Sequence, residues 1–436
     1  MDLQVDVTEF LKGNVRLPAS KSYSIRAFMI AALGGRSRIS NPSDCDDART
    51  AMTAAAQLGA RLSRVSPDVW RVAGRTDVKH PPRIHVKESG TVLRFILPLV
   101  SLHPHPCRIT GEGTLKGRPN RHLVELLRRQ GVLIRGTGPE ESVPIRISGG
   151  ALRGGRMEVE GSVSSQFISA LMIACPHLPE DTTIVIKGRQ VVSADYIEMT
   201  GQVLRRAGIK VTRASGRVIR IPGGQKFQGL KKFIIPSDYG LAAFLLAAGA
   251  LTRSDLTLQG SFQDDLIQAD GHILEFLRRM NVPVRRTPAA LKVRGPARLK
   301  GGRFSLKDCP DLLPVMAVLA LFAEGKTRLV DIRHARVKES NRVTDLRREL
   351  LKVGAVVGER ENELTIIPRP QGYRRDVVLE AYHDHRLAMA WSVLGLKCGV
   401  RVKGIECVRK SYPGFVEDFK ALGAGISPYR RRRQIK

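Results

Sequence analysis

The chain has 436 residues, with 72 Lys and Arg against 41 Asp and Glu, a formal charge of +31 and 42% hydrophobic residues. That length exceeds one ordinary core and calls for two large domains or a repeat array, and the apolar fraction suffices to bury a sizeable core. The charge directs attention to anionic partners: nucleic acid, phosphorylated metabolites or acidic membrane surfaces.

From the N-terminus, Met1-Asp2-Leu3-Gln4-Val5-Asp6-Val7 lacks a basic-then-apolar signal pattern, and no apolar run reaches membrane-spanning length. One pattern then recurs. Strongly apolar helices are predicted to begin near Ser22 (SYSIRAFMIAAL), Glu88 (ESGTVLRFILPLV), Ser164 (SSQFISALMIA), Ser237 (SDYGLAAFLLAAGAL), Pro310 (PDLLPVMAVLALF) and Asp384 (DHRLAMAWSVLGL). Each is followed by an amphipathic helix ending at Gly59, Gly131, Gly208, Asn281, Gly354 or Gly423. Subtracting positions, these terminators lie 72, 77, 73, 73 and 69 residues apart. Gly or Asn there supplies the left-handed cap that turns the chain into the next strand.

Each unit reads strand, apolar helix, strand, amphipathic helix, strands. Helices apolar on nearly all sides belong inside, with sheets and amphipathic helices around them. The expected fold is therefore α/β: a two-domain inside-out barrel of six βαβαββ repeats, three per domain, with buried parallel helices. Lobe 1 is expected over 18–234, lobe 2 over 1–17 and 235–428, and a disordered basic tail over 429–436, carrying Arg430, Arg431, Arg432 and Arg433. The basic stretches Lys226–Lys232 and Lys300–Arg303 read as exposed loops. Cys45, Cys107, Cys175, Cys309, Cys398 and Cys407 are scattered without CxxC spacing, which points to free thiols in a reducing, cytoplasmic setting.

The apolar helices open on polar residues. N-capping accounts for most Ser and Asp there. It does not account for Lys21, Glu88, Arg94, His385 and Arg386. Cations at helix starts oppose the macrodipole and call for a bound anion or a carboxylate to offset them. Arg118 follows the Gly-rich loop Gly111–Gly117 and can grip a carboxylate or phosphate with two N–H groups. The segment His334-Ala335-Arg336-Val337-Lys338-Glu339-Ser340-Asn341-Arg342 places five ionisable groups before a helix over about 343–353. If Ser340 or Asn341 caps that helix, Arg342 enters its first turn. The His383/His385 pair lacks accompanying carboxylates at ligand spacing, so no metal is expected.

In sum the motifs PASKSYSIRA, ESGTVLRF, GEGTLKGRP, GSVSSQF, VSADYIEM, CPDLLPVMA, RVKESNR, DHRLAM and RKSYPGF occur in the order found in the 5-enolpyruvylshikimate-3-phosphate synthase family, and from about Leu17 to Ala424 the chain resembles it. The resemblance implies transfer of the enolpyruvyl group of phosphoenolpyruvate to the 5-hydroxyl of shikimate 3-phosphate without metal or organic cofactor. It implies that Lys21, Gly90, Arg118, Gln166, Arg342, Arg386 and Lys410 bind phosphoenolpyruvate. Ser22, Arg26, Ser164, Ser165, Gln166, Ser193, Tyr196, Asp311, His334 and Lys338 would hold shikimate 3-phosphate, and Asp311, Glu339 and Lys21 would serve proton transfer. A monomer with no membrane or specific nucleic-acid partner is expected, and Gly90 implies sensitivity to glyphosate. Two departures stand out. Glu88 replaces the Asn of many relatives, so it either points away from the anion or pairs with a cation such as Arg94; His334 replaces another Asn.

Two rivals differ in what they require. The related transferase acting on UDP-N-acetylglucosamine carries a Lys-Asn pair near its start and a catalytic Cys where this chain has Arg118; here Ser22 follows Lys21. A nucleic-acid-binding protein would need stacking platforms, and aromatics make up only 5%. Weak non-specific binding through the Arg-rich tail is compatible with either.

Overall fold

The computed structural model describes residues 1–77, 80–262 and 264–429. Twelve α-helices alternate in character along the described chain: α1 (Lys21–Ala31), α2 (Asp46–Gln57), α3 (Gly90–Val100), α4 (Arg121–Arg129), α5 (Ser165–Ala174), α6 (Ala194–Arg206), α7 (Tyr239–Leu251), α8 (His272–Arg279), α9 (Leu313–Leu321), α10 (Arg342–Lys352), α11 (His385–Cys398) and α12 (Phe415–Ala421). The odd-numbered helices are buried nearly all round, and every residue of α7 and of α9 is buried. A helix with no polar stripe can sit only where neighbours cover each side. The even-numbered helices bury one face. After each of them the chain turns on a residue of positive φ: Gly59 95°, Gly131 95°, Gly208 81°, Asn281 66°, Gly354 81° and Gly423 96°.

The strands form six four-stranded sheets, each joining one parallel pair to two antiparallel neighbours. In the second, Arg83–His85 runs parallel to Cys107–Thr110, which pairs antiparallel with Ser142–Gly149, itself paired to Leu133–Thr137. Three sheets draw strands from distant sequence. Lys231–Ile234 lies parallel to Arg36–Ser40 in the first. Phe10–Arg16 lies parallel to Arg253–Gln259 in the fourth. In the sixth, Asp2–Val5 is held between Val400–Lys403 and Ile426–Tyr429. Gly395 of α11 permits that strand, because a Cβ there would stand 2.7 Å from Val5 Cβ.

Two compact units result, each with its own core. The inserted unit comprises Ala19–Pro236 with Asp264–Ala269; the terminal unit comprises Met1–Pro18, Ser237–Gln263 and Asp270–Lys436. The boundaries differ from the sequence reading in four places. Pro18 belongs with the terminal unit, its carbonyl accepting from Asp238 N at 3.0 Å. Ile235 and Pro236 belong with the inserted unit, through Ile235 N to Ser40 O at 2.9 Å and Ser20 N to Pro236 O at 2.7 Å. Residues 264–269 return to the inserted unit, where Leu266 is buried and Ile267 O accepts from Tyr23 Oη at 2.7 Å. Tyr429, expected in the tail, closes the sixth sheet opposite Asp2, with Arg401 4.1 Å from its ring centroid. Residues 430–436 lie outside the described residues. Lys231 and Lys232 are strand, not loop, because edge pairing with Ser37 and Arg38 satisfies their backbone.

Candidate active site

In the inserted unit the starts of α1, α3 and α5 carry the expected residues. Ser20 caps α1, its Oγ accepting from Tyr23 N at 3.4 Å. Lys21 follows, with Nζ 3.2 Å from Asp47 Oδ2 in the first turn of α2. Arg26, one turn beyond Ser22, is buried: Nη1 donates to Ser22 O at 3.0 Å, Nη2 to Tyr196 O at 3.0 Å and Nε to Thr200 Oγ1 at 2.9 Å. The rings of Phe95 and Tyr196 lie 5.5 and 5.8 Å from its guanidinium carbon. Burial lowers the Arg26 pKa to about 10, with Tyr196 and Tyr23 opposing, so it stays cationic at neutral pH. Ser193 takes a left-handed conformation (φ 56°) before α6, which carries Tyr196.

Gly90 opens α3, and Arg118 follows the turn Gly113–Gly117. The two meet: a Cβ on Gly90 would come 2.6 Å from Arg118 Nη1. Ser164 caps α5, Ser165 begins it, and Gln166 is gripped at both ends of its amide. Its Oε1 accepts from Arg94 Nη1 at 2.5 Å, and its Nε2 donates to Thr91 Oγ1 at 3.0 Å. Glu88 directs its carboxylate at the Gly113–Thr114 backbone, with Oε1 3.3 Å from Thr114 N.

In the terminal unit the charged segment folds as a 3₁₀ turn, Arg333–Val337, followed by α10, which Asn341 caps through Thr344 N at 3.3 Å. Arg342 thereby enters the first turn and is buried among three carboxylates. Its Nη1 reaches Asp311 Oδ1 at 2.6 Å, Nη2 reaches Glu339 Oε2 at 2.9 Å, and Nε reaches Asp384 Oδ2 at 2.7 Å. Arg386, in the first turn of α11, lies 3.3 Å from Asp311 Oδ2 and 3.4 Å from Asp270 Oδ2, and donates to Gly240 O at 2.9 Å. Lys338 Nζ lies 3.7 Å from Asp311 Oδ1. His334 is buried in the 3₁₀ turn, and Lys410 is buried at the end of the turn Ile405–Lys410, which packs on α11.

These contacts set the protonation states. Burial alone would raise the Asp311 pKa, but Lys338, Arg386 and Arg342 outweigh it and hold the carboxyl well below its usual range. Asp270 goes the other way: burial, reinforced by Asp311 and Asp238, lifts it to about 7 despite Arg386. Burial, with Lys338 adding to it, depresses His334 to about 3, so its ring is neutral at pH 7. Of the cations at helix starts, Lys21 has Asp47, and Arg342 and Arg386 have Asp311, Glu339, Asp384 and Asp270 between them. Arg94 instead donates to the neutral oxygens of Gln166, Asn120 and Pro119.

The structure gathers Asp311, Lys338, Glu339, Arg342 and Arg386 in the terminal unit. In the inserted unit it gathers Ser22, Arg26 and Tyr196, and separately Gly90 and Arg118. Sequence reasoning did not single out Asp47 or Asp270 and took Asp384 only as a cap. Asp384 was the readable one, since a cap next to Arg386 is a carboxylate beside a cation. Among the described residues no three His, Cys, Asp or Glu side chains group to hold a metal ion.

The geometry defines a mixed α/β protein in which α1, α10 and α11 open on carboxylate-tethered cations, an arrangement suited to small, multiply anionic molecules. The family model described as EPSP synthase (3-phosphoshikimate 1-carboxyvinyltransferase) matches residues 5–419. The chain belongs to that family. It is 32% identical to the 3-phosphoshikimate 1-carboxyvinyltransferase of Methanococcus aeolicus, covering 97% of this chain and 99% of the relative. It is 36% identical to that of Methanothrix thermoacetophila, covering 95% and 97%. Its fold matches EPSP synthase from Acinetobacter baumannii with a TM-score of 0.80 at 24% identity, over 98% of this chain and 100% of that one. It also matches the enolpyruvyl transferase NikO from Streptomyces tendae with a TM-score of 0.77 at 18% identity, over 98% of each chain.

Proposed function

We infer that this chain is a 3-phosphoshikimate 1-carboxyvinyltransferase of the shikimate pathway, serving aromatic amino acid biosynthesis. The family match over residues 5–419 carries that reading. The reaction adds the 5-hydroxyl of shikimate 3-phosphate to C2 of phosphoenolpyruvate while C3 gains a proton. The tetrahedral intermediate then loses the C3 proton and phosphate, leaving the enolpyruvyl ether.

This chemistry needs a base, an acid and fixed cations, and the residues supply each. Asp311, held ionised by Lys338, Arg386 and Arg342, is proposed as base to the hydroxyl. Glu339, 2.9 Å from Arg342, is proposed to give and retake the C3 proton, with Lys21 sharing in proton transfer. Arg342 already makes four hydrogen bonds to Asp311, Glu339 and Asp384, which favours a role in positioning Asp311 and Glu339 as much as in binding phosphoenolpyruvate. Arg118, Arg386, Lys410, Lys21, Gly90 and Gln166 are proposed at phosphoenolpyruvate. Ser22, Arg26, Ser164, Ser165, Gln166, Ser193, Tyr196, His334 and Lys338 are proposed at shikimate 3-phosphate.

The inside-out two-domain barrel of six repeats is part of the same proposal, supported by six like sheets and by the buried odd-numbered helices. So are a cytoplasmic monomer and inhibition by glyphosate. The six cysteines are unbridged, and among the described residues no helix is long and apolar enough to cross a membrane. The test is phosphate release from phosphoenolpyruvate with shikimate 3-phosphate, with UDP-N-acetylglucosamine, and with neither. Release with shikimate 3-phosphate alone supports the assignment. Release driven by the nucleotide sugar, or by no acceptor, overturns it.

A further inference from the structure

The residues above use few of the chain's 72 basic side chains. A second basic arrangement sits on the exposed face of the sheet Arg83–His85, Cys107–Thr110, Ser142–Gly149 and Leu133–Thr137. Each strand places one arginine in a single cross-strand row: Arg83 opposite Arg108, Arg108 opposite Arg146, and Arg146 opposite Arg135. All four are exposed, at the alternate positions that point away from the core. At ordinary strand spacing the row is roughly 14 Å long. Arg108, Arg135 and Arg146 line a depression of about 260 Å³ with Gly136, Thr137 and Pro144.

Like charges directly opposite across strands cost stability, and a sheet normally interleaves acids among them. These four strands contain no Asp or Glu. Among the described residues none of the four arginine side chains makes an ion pair or hydrogen bond with the protein. The nearby acids serve elsewhere: Glu141 pairs with Arg128, and Glu112 lies 3.7 Å from His85. The pattern recurs on the first sheet, where Lys232, Arg38 and Arg71 stand in one row and the strands again lack acids.

We propose that the Arg83–Arg108–Arg146–Arg135 row is a binding face for a linear chain of phosphates, that of a polynucleotide backbone. An in-register guanidinium row matches repeated phosphates, each able to accept two N–H groups. The four strands carry no Phe, Tyr or Trp on which a base could stack, so the face holds backbone and reads no sequence. This differs from attraction by the C-terminal arginines, which the folded sheet does not need.

The test is fluorescence anisotropy of a labelled 20-nucleotide RNA across a salt series. The proteins are the full chain, an R108Q/R146Q double variant, and a chain ending at Tyr429. Both substituted side chains are exposed, so circular dichroism and phosphate-release turnover should match wild type. The expected result is a linear fall of log affinity with log salt, its slope about 1.4 smaller in magnitude in the double variant, roughly 0.7 for each lost contact. The truncated chain should keep most of the binding. Competition at equal phosphate concentration separates the sources: tighter RNA supports the polynucleotide, and tighter polyphosphate overturns it in favour of the inorganic chain. Poly-glutamate competing as well as either would overturn phosphate recognition. An unchanged slope in R108Q/R146Q, complete loss on truncation, or no binding by wild type at low salt would overturn the face.

Discussion

Gly90→Ala offers a sharp test of the proposed place of Gly90 and Arg118 at phosphoenolpyruvate. Gly90 has no left-handed φ that would resist a side chain, so the new methyl is felt through its neighbour. The added Cβ would stand 2.6 Å from Arg118 Nη1 and 2.8 Å from its Cζ, where ordinary contact begins at 3.4 Å. The guanidinium must therefore retreat by about 0.8 Å. A charge-assisted hydrogen bond lengthened that far is lost, at a cost of about 1.5–3 kcal/mol. The KM for phosphoenolpyruvate should rise roughly 10- to 100-fold. The KM for shikimate 3-phosphate should stay near wild type, as should the thermal midpoint. Initial phosphate-release rates over a grid of both substrates give the split. An unchanged KM for phosphoenolpyruvate, or equal rises in both, would refute the placement of Arg118 at that substrate.

Other perturbations probe the terminal unit. Asp311→Asn keeps the shape but removes the proposed base, and kcat should fall by about 10²–10⁴ with little change in binding of either substrate by equilibrium titration. Normal turnover in that variant would remove Asp311 from proton transfer. Arg342→Met leaves Asp311, Glu339 and Asp384 facing one another and should destabilise the protein by about 3–5 kcal/mol at pH 7.5 in denaturant titration, less at pH 5 as carboxylates protonate. A pH-independent loss would mean packing, not charge, is responsible. Asp270 has a folded pKa raised to about 7, so its contribution to stability is fully present below pH 3.8 and lost as pH rises through about 7. Asp270→Asn should accordingly gain stability relative to wild type as pH rises across that window, while its amide oxygen still accepts from Arg386. A constant difference between the two proteins from pH 4 to 8 would contradict that ionisation.

Much of the architecture was legible because its signals are local. A residue of positive φ after an amphipathic helix, and an apolar stretch with no polar stripe, need nothing beyond their own segment. Asn341 as a cap and Arg342 in the first turn of α10 were readable for the same reason. What escaped was settled by distant partners. Lys231–Ile234 is strand because Arg36–Ser40 lies beside it. Residues 264–269 join the inserted unit through Gln202 and Tyr23. Asp270 sits in a polar stretch that announces a turn, and only folding brings it to Arg386. Asp47 likewise meets Lys21 only when α2 packs beside α1.

The first strand, Asp2–Val5, completes its sheet with residues 400–403 and 426–429. During synthesis it is therefore made about 400 residues before the strands it pairs with. The inserted unit, by contrast, has nearly all of its sequence outside the ribosome some 160 to 170 residues earlier, and at about 5–20 residues per second it leads by roughly 10–30 s. Stalled nascent chains ending near 310 should thus resist protease over 19–236 while Asp2–Val5 stays cleavable; protection of both at once would mean a different order of assembly. Asp2–Val5 remains an open seam until residues 400–429 arrive to close it.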